Sequence, residues 1–552
     1  MKRRLITSLA LVLVLLLTMA ACTSANQKAT TTEPATQTNQ TPETTQAAEE
    51  EPVEVTMFFQ TGGQTFPDNY DHADNYYFNY ICDMANIVVT EVTVPAYADT
   101  ETKFNLMMSS GDIPDLVMRA DVANMKKYGE EGAFLPTEDI IRNSAVLSKR
   151  YDDVQIEDMK SLNGIAYVIQ AQPNNDDYTN LVIRKDLLDE MGLGVPTTTD
   201  ELVEVCRGLK KLYPNSIPIV TRGAVWAWMQ MLFKPFCVGT DDGTGWYYDY
   251  EKGEVLSAFD GNNIVDAVAF ANQLYKEGLL DPEFITTTAD DYTTKIIDEN
   301  NKVLIYTRNY GSISSFLLKY LKSGQSKARL MPIAYPMAKG YKYNSYQPLQ
   351  TVGSYTYGIN ANIGDKALKG VVRFLETLYS DEVLDLAVYG QEGVDYELVN
   401  GEASPIYPAA TDNYYHALYG WMFMNCKEKI DFQFKTYIYS DDTLAESDKV
   451  EYVDLLGKAD ADVRDAMYGT VGYNPFDLAD KLSDELINRV NGCKEAQKSL
   501  MAKAIVGEIT INEFTTEKER ILKTYQDVTD AYNNVAKAAK DKYKLNQYGF
   551  VK

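Results

Sequence analysis

Histidine is almost missing from this sequence: His72 and His416 are the only two. A Ser-His-Asp triad or a multi-histidine metal centre therefore has no basis. Cysteine offers no scaffold either. Cys22, Cys82, Cys206, Cys237, Cys426 and Cys493 include no C-x-x-C pair, which argues against a zinc site and against a disulfide framework. No P-loop and no G-x-G-x-x-G phosphate cradle occurs, so no cofactor is expected. Asp241-Asp242-Gly243-Thr244 lacks the alternating acidic comb and distal Glu of a calcium loop. Positive charge is scarce as well. Lys and Arg number 52 against 79 Asp and Glu, a formal charge of −27, the wrong sign for a nucleic-acid partner. No apolar run is long enough for a stable membrane span.

What is present begins with Lys2-Arg3-Arg4, the apolar run Leu9 to Leu17, and Met19-Ala20-Ala21-Cys22. This three-part order reads as a signal peptide over residues 1–21. The small residues before Cys22 resemble a lipobox, in which that thiol carries a lipid, although Met19 stands where Leu is usual. Residues 22–51 are rich in Thr, Gln, Glu and Pro and contain almost no large apolar side chain. Such a segment cannot offset its ordering entropy, so a disordered tether reaching roughly 30 Å is expected. With Cys22 lipidated, five thiols remain, most of them expected buried and free.

A body of this length calls for two lobes. Strand patterns (Val53 to Phe59, Ile87 to Pro95) alternate with helical ones (Ala73 to Ala85, Thr102 to Met108), which predicts α/β architecture with mainly parallel sheets. Ligands of such sheets sit beyond the carboxyl ends of the strands. That rule selects Phe59 and Gln60 after the first strand and Asp112 in the turn Ser109–Asp112. The polar loop Gln170–Asn180 adds Gln172, Asp176 and Tyr178, able to hydrogen-bond hydroxyl groups. Arg222, Trp226 and Trp228 combine a charged donor with two aromatic faces. At helical spacing i and i+2 point about 200° apart, so one Trp faces a ligand and one the core; Trp226 is expected in the cleft and Trp228 in the core. Trp246 opens a hairpin. Arg308 and Tyr310 follow the strand Val303 to Tyr306, and Tyr355 lies in the returning strand Thr351 to Asn360. Forty Tyr supply further stacking area.

The stretch Asn180 to Asp200, NLVIRKDLLDEMGLGVPTTTD, combines a strand, a helix with Asp186 placed as its cap, a Gly192 stop, and a second helix capped by Thr199 or Asp200. It resembles the corresponding segment of extracellular solute-binding proteins of bacterial ABC importers, in their Gram-positive lipoprotein branch. Further segments agree in order: Ser109 to Val117, Gly132 to Leu135, Leu162 to Tyr167 (with Ile165 where Lys is usual), Gly245 to Val255, Leu274 to Phe284, Arg373 to Gly401 and Ile505 to Phe514. The resemblance implies a two-lobed, type II periplasmic-binding-protein-like fold with a ligand cleft between the lobes. It places residues 53–165 plus 330–400 in the first lobe and 166–329 plus 401–552 in the second. It implies capture of a solute, most plausibly an oligosaccharide, by a monomer that works with ABC permease subunits, held at the outer face of the membrane by its lipid and catalysing nothing. A secreted carbohydrate-active hydrolase using two carboxylates, and a receptor for short peptides, are the alternatives.

Overall fold

The computed structural model describes residues 51–61, 70–119, 121–173, 178–223, 225–238, 245–249, 252–342, 346–349, 352–353, 355–406, 426–442, 444–467, 470–473 and 482–543. The signal segment, the tether with Cys22, Asp176, Trp421 and Asp241 to Thr244 lie outside them. Among the described residues no helix is long and apolar enough to cross a membrane.

Two sheets organise the chain. The first contains β1 (Val53–Phe59), β2 (Ile87–Thr93), β3 (Leu116–Arg119) and β4 (Val168–Gln170). The chain then leaves for the second sheet, made of β5 (Thr179–Arg184), β6 (Ile219–Val220), β9 (Ile305–Asn309) and β10 (Leu330–Ile333). Between β6 and β9 stands the hairpin of β7 (Trp246–Asp249) and β8 (Glu254–Ser257). After β10, β11 (Tyr346–Leu349) pairs with the strand Thr470–Tyr473, and β12 (Thr356–Ile359) rejoins the first sheet. The orders are β2-β1-β3-β12-β4 and β10-β5-β9-β6.

In each sheet one strand runs against the rest. β12 is antiparallel to both β3 and β4, and β5 is antiparallel to both β10 and β9. These are the strands that follow the two crossings. A chain that leaves one sheet at a carboxyl end must enter the next from that same side and run away from it. β4 belongs to the first sheet and β10 to the second, so the chain passes between the sheets after Gln170 and returns after Ile333.

β1 is buried along one face and on both faces at its carboxyl end, where Met57, Phe58 and Phe59 are all enclosed, while Glu54 is exposed and Thr56 half-buried. Val55, Met57 and Phe59 face the large core, whereas Phe58 packs with Phe104, Val117 and Val168 on the other side. The stretch 180–200 folds as strand and two helices, with different caps. Arg184 occupies the first N-cap position; Asp186 instead accepts from Arg184 Nε and Nη2 and from the Arg329 amide. Thr198 caps the second helix in a capping box with Glu201, so neither Thr199 nor Asp200 does. Gly192 does end the first helix, at φ 68°.

The two crossing segments are bonded to each other. Ala171 N donates to Tyr355 O (2.8 Å), Gly353 N donates to Ala171 O (2.6 Å), and Gln170 Nε2 donates to Gly353 O (2.9 Å). Tyr151 Oη donates to Gln170 O at 2.7 Å. A Cβ on Gly353 would stand 2.7 Å from Gln172 O and 3.0 Å from Ala171 O, both main-chain atoms that cannot swing aside. Gly353→Ala is expected to cost about 1–3 kcal/mol through this overpacking. A urea unfolding curve with an unchanged midpoint would show that the two segments do not need so close an approach.

Candidate functional site

The strands that run toward the crossings end at Phe59, Arg119 and Gln170 in the first sheet and at Val220, Asn309 and Ile333 in the second. β5 and β12 start at the same edges, just after Tyr178 and Tyr355. Side chains at these ends are the ones available to a ligand held between the sheets.

Several expected contact residues are used by the fold instead. Phe59 lies in the large core and meets His72 edge-on at 6.2 Å. Gln60 is buried, its main chain beside the Tyr355 hydroxyl. Tyr355 is itself enclosed against Tyr357. Tyr178 stacks on Tyr310 with ring centres 5.4 Å apart and planes 8° from parallel, and both are core residues. Their phenols are raised far above the ordinary range, by burial first and by Asp460 second, so they stay protonated. Trp246 is 1% exposed, with Nε1 donating to Thr529 Oγ1 at 2.9 Å and its ring against Tyr532. Asp112 is exposed but precedes β3, at the amino end of that strand. Its amide donates to Ser110 Oγ, while Asp115 anchors the turn by accepting from Thr56 N and Oγ1.

The two tryptophans exchange the roles expected of them. Trp226 is the core residue, 2% exposed, with Nε1 donating to Gln497 Oε1 at 3.1 Å and Phe233 and Phe259 against its ring. Trp228 is half-buried. One points in and one out, as the spacing requires. Which is which depends on the helix Asp484–Val506, whose Gln497 supplies the indole partner.

Around Trp228 the charge is positive. The Arg222 guanidinium lies 5.1 Å from its ring centre and that of Arg308 5.4 Å. Arg308, at the end of β9, also lies 4.6 Å from the Phe316 ring. Two cations so placed are within about 11 Å of each other and repel by roughly 1–2 kcal/mol at an effective dielectric near 20. Nearby Lys319 is held below the ordinary lysine range by partial burial, then by Arg308 and Lys322. Gln172 is half-buried at the first crossing, donating to Arg150 O and accepting from Gln155 Nε2. Thus Gln172, Arg222, Trp228 and Arg308 are the expected residues left partly open at the strand ends.

Two features escaped the sequence reading. Arg119 ends β3 on the first sheet, bonded through Nη2 to Glu101 and Asp121 and stacked 3.9 Å from the Phe104 ring; its Nε and Nη1 are buried without hydrogen-bond partners. A charged residue closing the apolar run Leu116-Val117-Met118 was the available signal. The second is Asp460, 2% exposed, which accepts from Tyr178 Oη (2.8 Å), Arg464 Nε (2.9 Å) and Lys427 Nζ (3.1 Å). It ties the start of β5 to the helices Lys427–Tyr439 and Glu446–Met467. Among the described residues no group of three or more His, Cys, Asp or Glu side chains is arranged to hold a metal ion.

The profile described as "Bacterial extracellular solute-binding protein" matches residues 85–384. The chain belongs to that family. Lipoprotein LipO of Bacillus subtilis is 25% identical over 330 residues, 57% of this chain and 62% of LipO. The fructooligosaccharide ABC transporter substrate-binding protein FusA of Streptococcus pneumoniae is 28% identical over 226 residues, 37% of this chain and 41% of FusA. The chain thus spans less than two thirds of the length of these curated relatives. Among solved structures, alginate-binding protein AlgQ2 superposes with a TM-score of 0.63 at 21% identity, covering 89% of this chain and 99% of that one. The fold is the two-lobed type II arrangement of these solute-binding proteins.

Removing the Asp460 carboxylate leaves two cations and a buried phenol without their common acceptor. Asp460→Ala is expected to cost about 3–5 kcal/mol and Tyr178→Phe about 1 kcal/mol. Equal losses in chemical denaturation would mean that the phenol bond, and not the ion cluster, holds the start of β5.

Proposed function

We propose that this chain captures an oligosaccharide between its two lobes and hands it to the permease of an ABC importer, tethered to the outer membrane face by a lipid on Cys22. The observation that carries the reading is Trp228. It is a partly open indole at the ligand end of the second sheet, with donors from Arg222 and Arg308 over its ring. Sugar rings offer apolar C–H faces to such a surface, and their hydroxyls take hydrogen bonds from the surrounding donors. Gln172 contributes from the crossing segment. Capture needs no chemical step from these residues, only closure of the lobes about Ala171 and Gly353, with the ligand favouring the closed population. The named specificity of FusA and its membership of a transporter support the solute class and the permease partner, and the lipoprotein LipO supports the anchor.

The test is a thermal-shift screen of the full chain against oligosaccharides and short peptides. A ligand at a hundredfold excess over its Kd adds about 2.7 kcal/mol of stability. A shift with one sugar series that disappears in Trp228→Ala is expected. Trp226→Ala should instead lower the unliganded melting temperature, because it opens a cavity and strands Gln497. A shift with peptides alone would sink the carbohydrate reading.

A further inference from the structure

We infer that the saccharide recognised at Trp228 is acidic, with a sugar carboxylate held between Arg222 and Arg308 while its ring lies on the indole. The inference rests on the function proposed above and narrows its substrate class.

Arg222 is unusual in this chain. Acids outnumber bases 79 to 52, and other guanidiniums have claimed carboxylates: Arg119 binds Glu101 and Asp121, Arg184 binds Asp186, Arg207 binds Glu204 and Glu277, and Arg489 binds Asp527. Arg222, half-buried at the end of β6, makes no ion pair or hydrogen bond among the described residues; the Trp228 ring is its contact. Amid such a surplus of acid, a half-buried cation left without a carboxylate is one whose partner comes from outside.

The second cation converges on the same ring. Arg308 reaches Trp228 from β9, a different strand, so two elements bring like charges to one indole. Arg308 and Arg222 are also the strongest charges acting on the buried Tyr292 hydroxyl, whose ring lies 6.3 Å from that of Trp228. An anion placed there relieves their mutual repulsion, and guanidinium forks match a carboxylate better than any sugar hydroxyl. Local cations are needed in any case, since a chain of net charge −27 is on the whole repulsive to acidic ligands.

The experiment is titration calorimetry of the full chain with uronic-acid trisaccharides of the gluco, manno and galacto series. Each is paired with its fully methyl-esterified, uncharged form and with a sulfated neutral trisaccharide. The acid of one series should bind at least tenfold more tightly than its ester. Arg222→Gln should erase that difference, so that acid and ester of the series bind with similar affinity. Raising salt from about 50 to about 500 mM should weaken the acid and not the ester. Acid and ester binding alike, binding of neutral sugars only, preference for the sulfate ester, or an acid affinity indifferent to Arg222→Gln would each overturn the inference and leave the oligosaccharide reading standing. Binding of no saccharide by the folded protein would remove both.

Discussion

The main-chain bonds between Ala171, Gly353 and Tyr355 are the constraint from which the rest of the arrangement follows. They hold two chain segments together where both pass between the sheets. With the crossings side by side, the strands flanking them must also be neighbours, and they are: β4 beside β12 in one sheet, β5 beside β10 in the other. The strand by which the chain enters each sheet after a crossing then has to run away from the junction, which is why β5 and β12 oppose the rest. All remaining strands point their carboxyl ends at the gap, and Arg119, Arg222 and Arg308 arrive there because they end strands or immediately follow them. The position of the proposed site is a result of chain routing before it is a result of side-chain chemistry.

Around that junction the aromatic residues divide into two populations. Tyr178, Tyr310 and Tyr355 are consumed by packing: stacked, hydrogen-bonded or enclosed, and kept neutral by burial. Their work is to fix the strand ends. Trp228 is the aromatic side chain there that keeps part of its surface, and it does so beside two cations. As the proposed ligand surface, it depends on the rigidity of what lies beneath it. The Asp460 cluster supplies some of that rigidity by joining the start of β5 to two later helices.

Much of the architecture was legible in the sequence, because half-buried strands alternate and fully buried ones form apolar runs. Val53 to Phe59 alternates apolar and polar residues before ending in Met57-Phe58-Phe59, Leu181 to Ile183 is a short apolar run, and both are strands. Gly192 marked a helix end for a reason local to the chain. The site was less legible. Spacing alone could say that Trp226 and Trp228 face opposite ways. It could not choose between them, because the choice is made by Gln497, 271 residues further on. Asp112 was selected by the rule for carboxyl strand ends, although its turn leads from a helix into the amino end of β3. Tyrosines rich in hydrogen-bonding potential were read as ligand contacts, although a phenol beside a buried carboxylate is equally well satisfied by the protein itself.

The bond from Trp226 to Gln497 has a kinetic counterpart. Trp246 likewise depends on Thr529, and the first sheet is completed only by β12. The first sheet takes β12 from beyond the second sheet, and Trp226 and Trp246 take their indole partners from the last helices of the chain. Contacts of such long sequence separation bring the loop-closure cost early and the stabilisation late, so folding of this protein is expected to be slow, with the contacts of its last helices among the late ones to form.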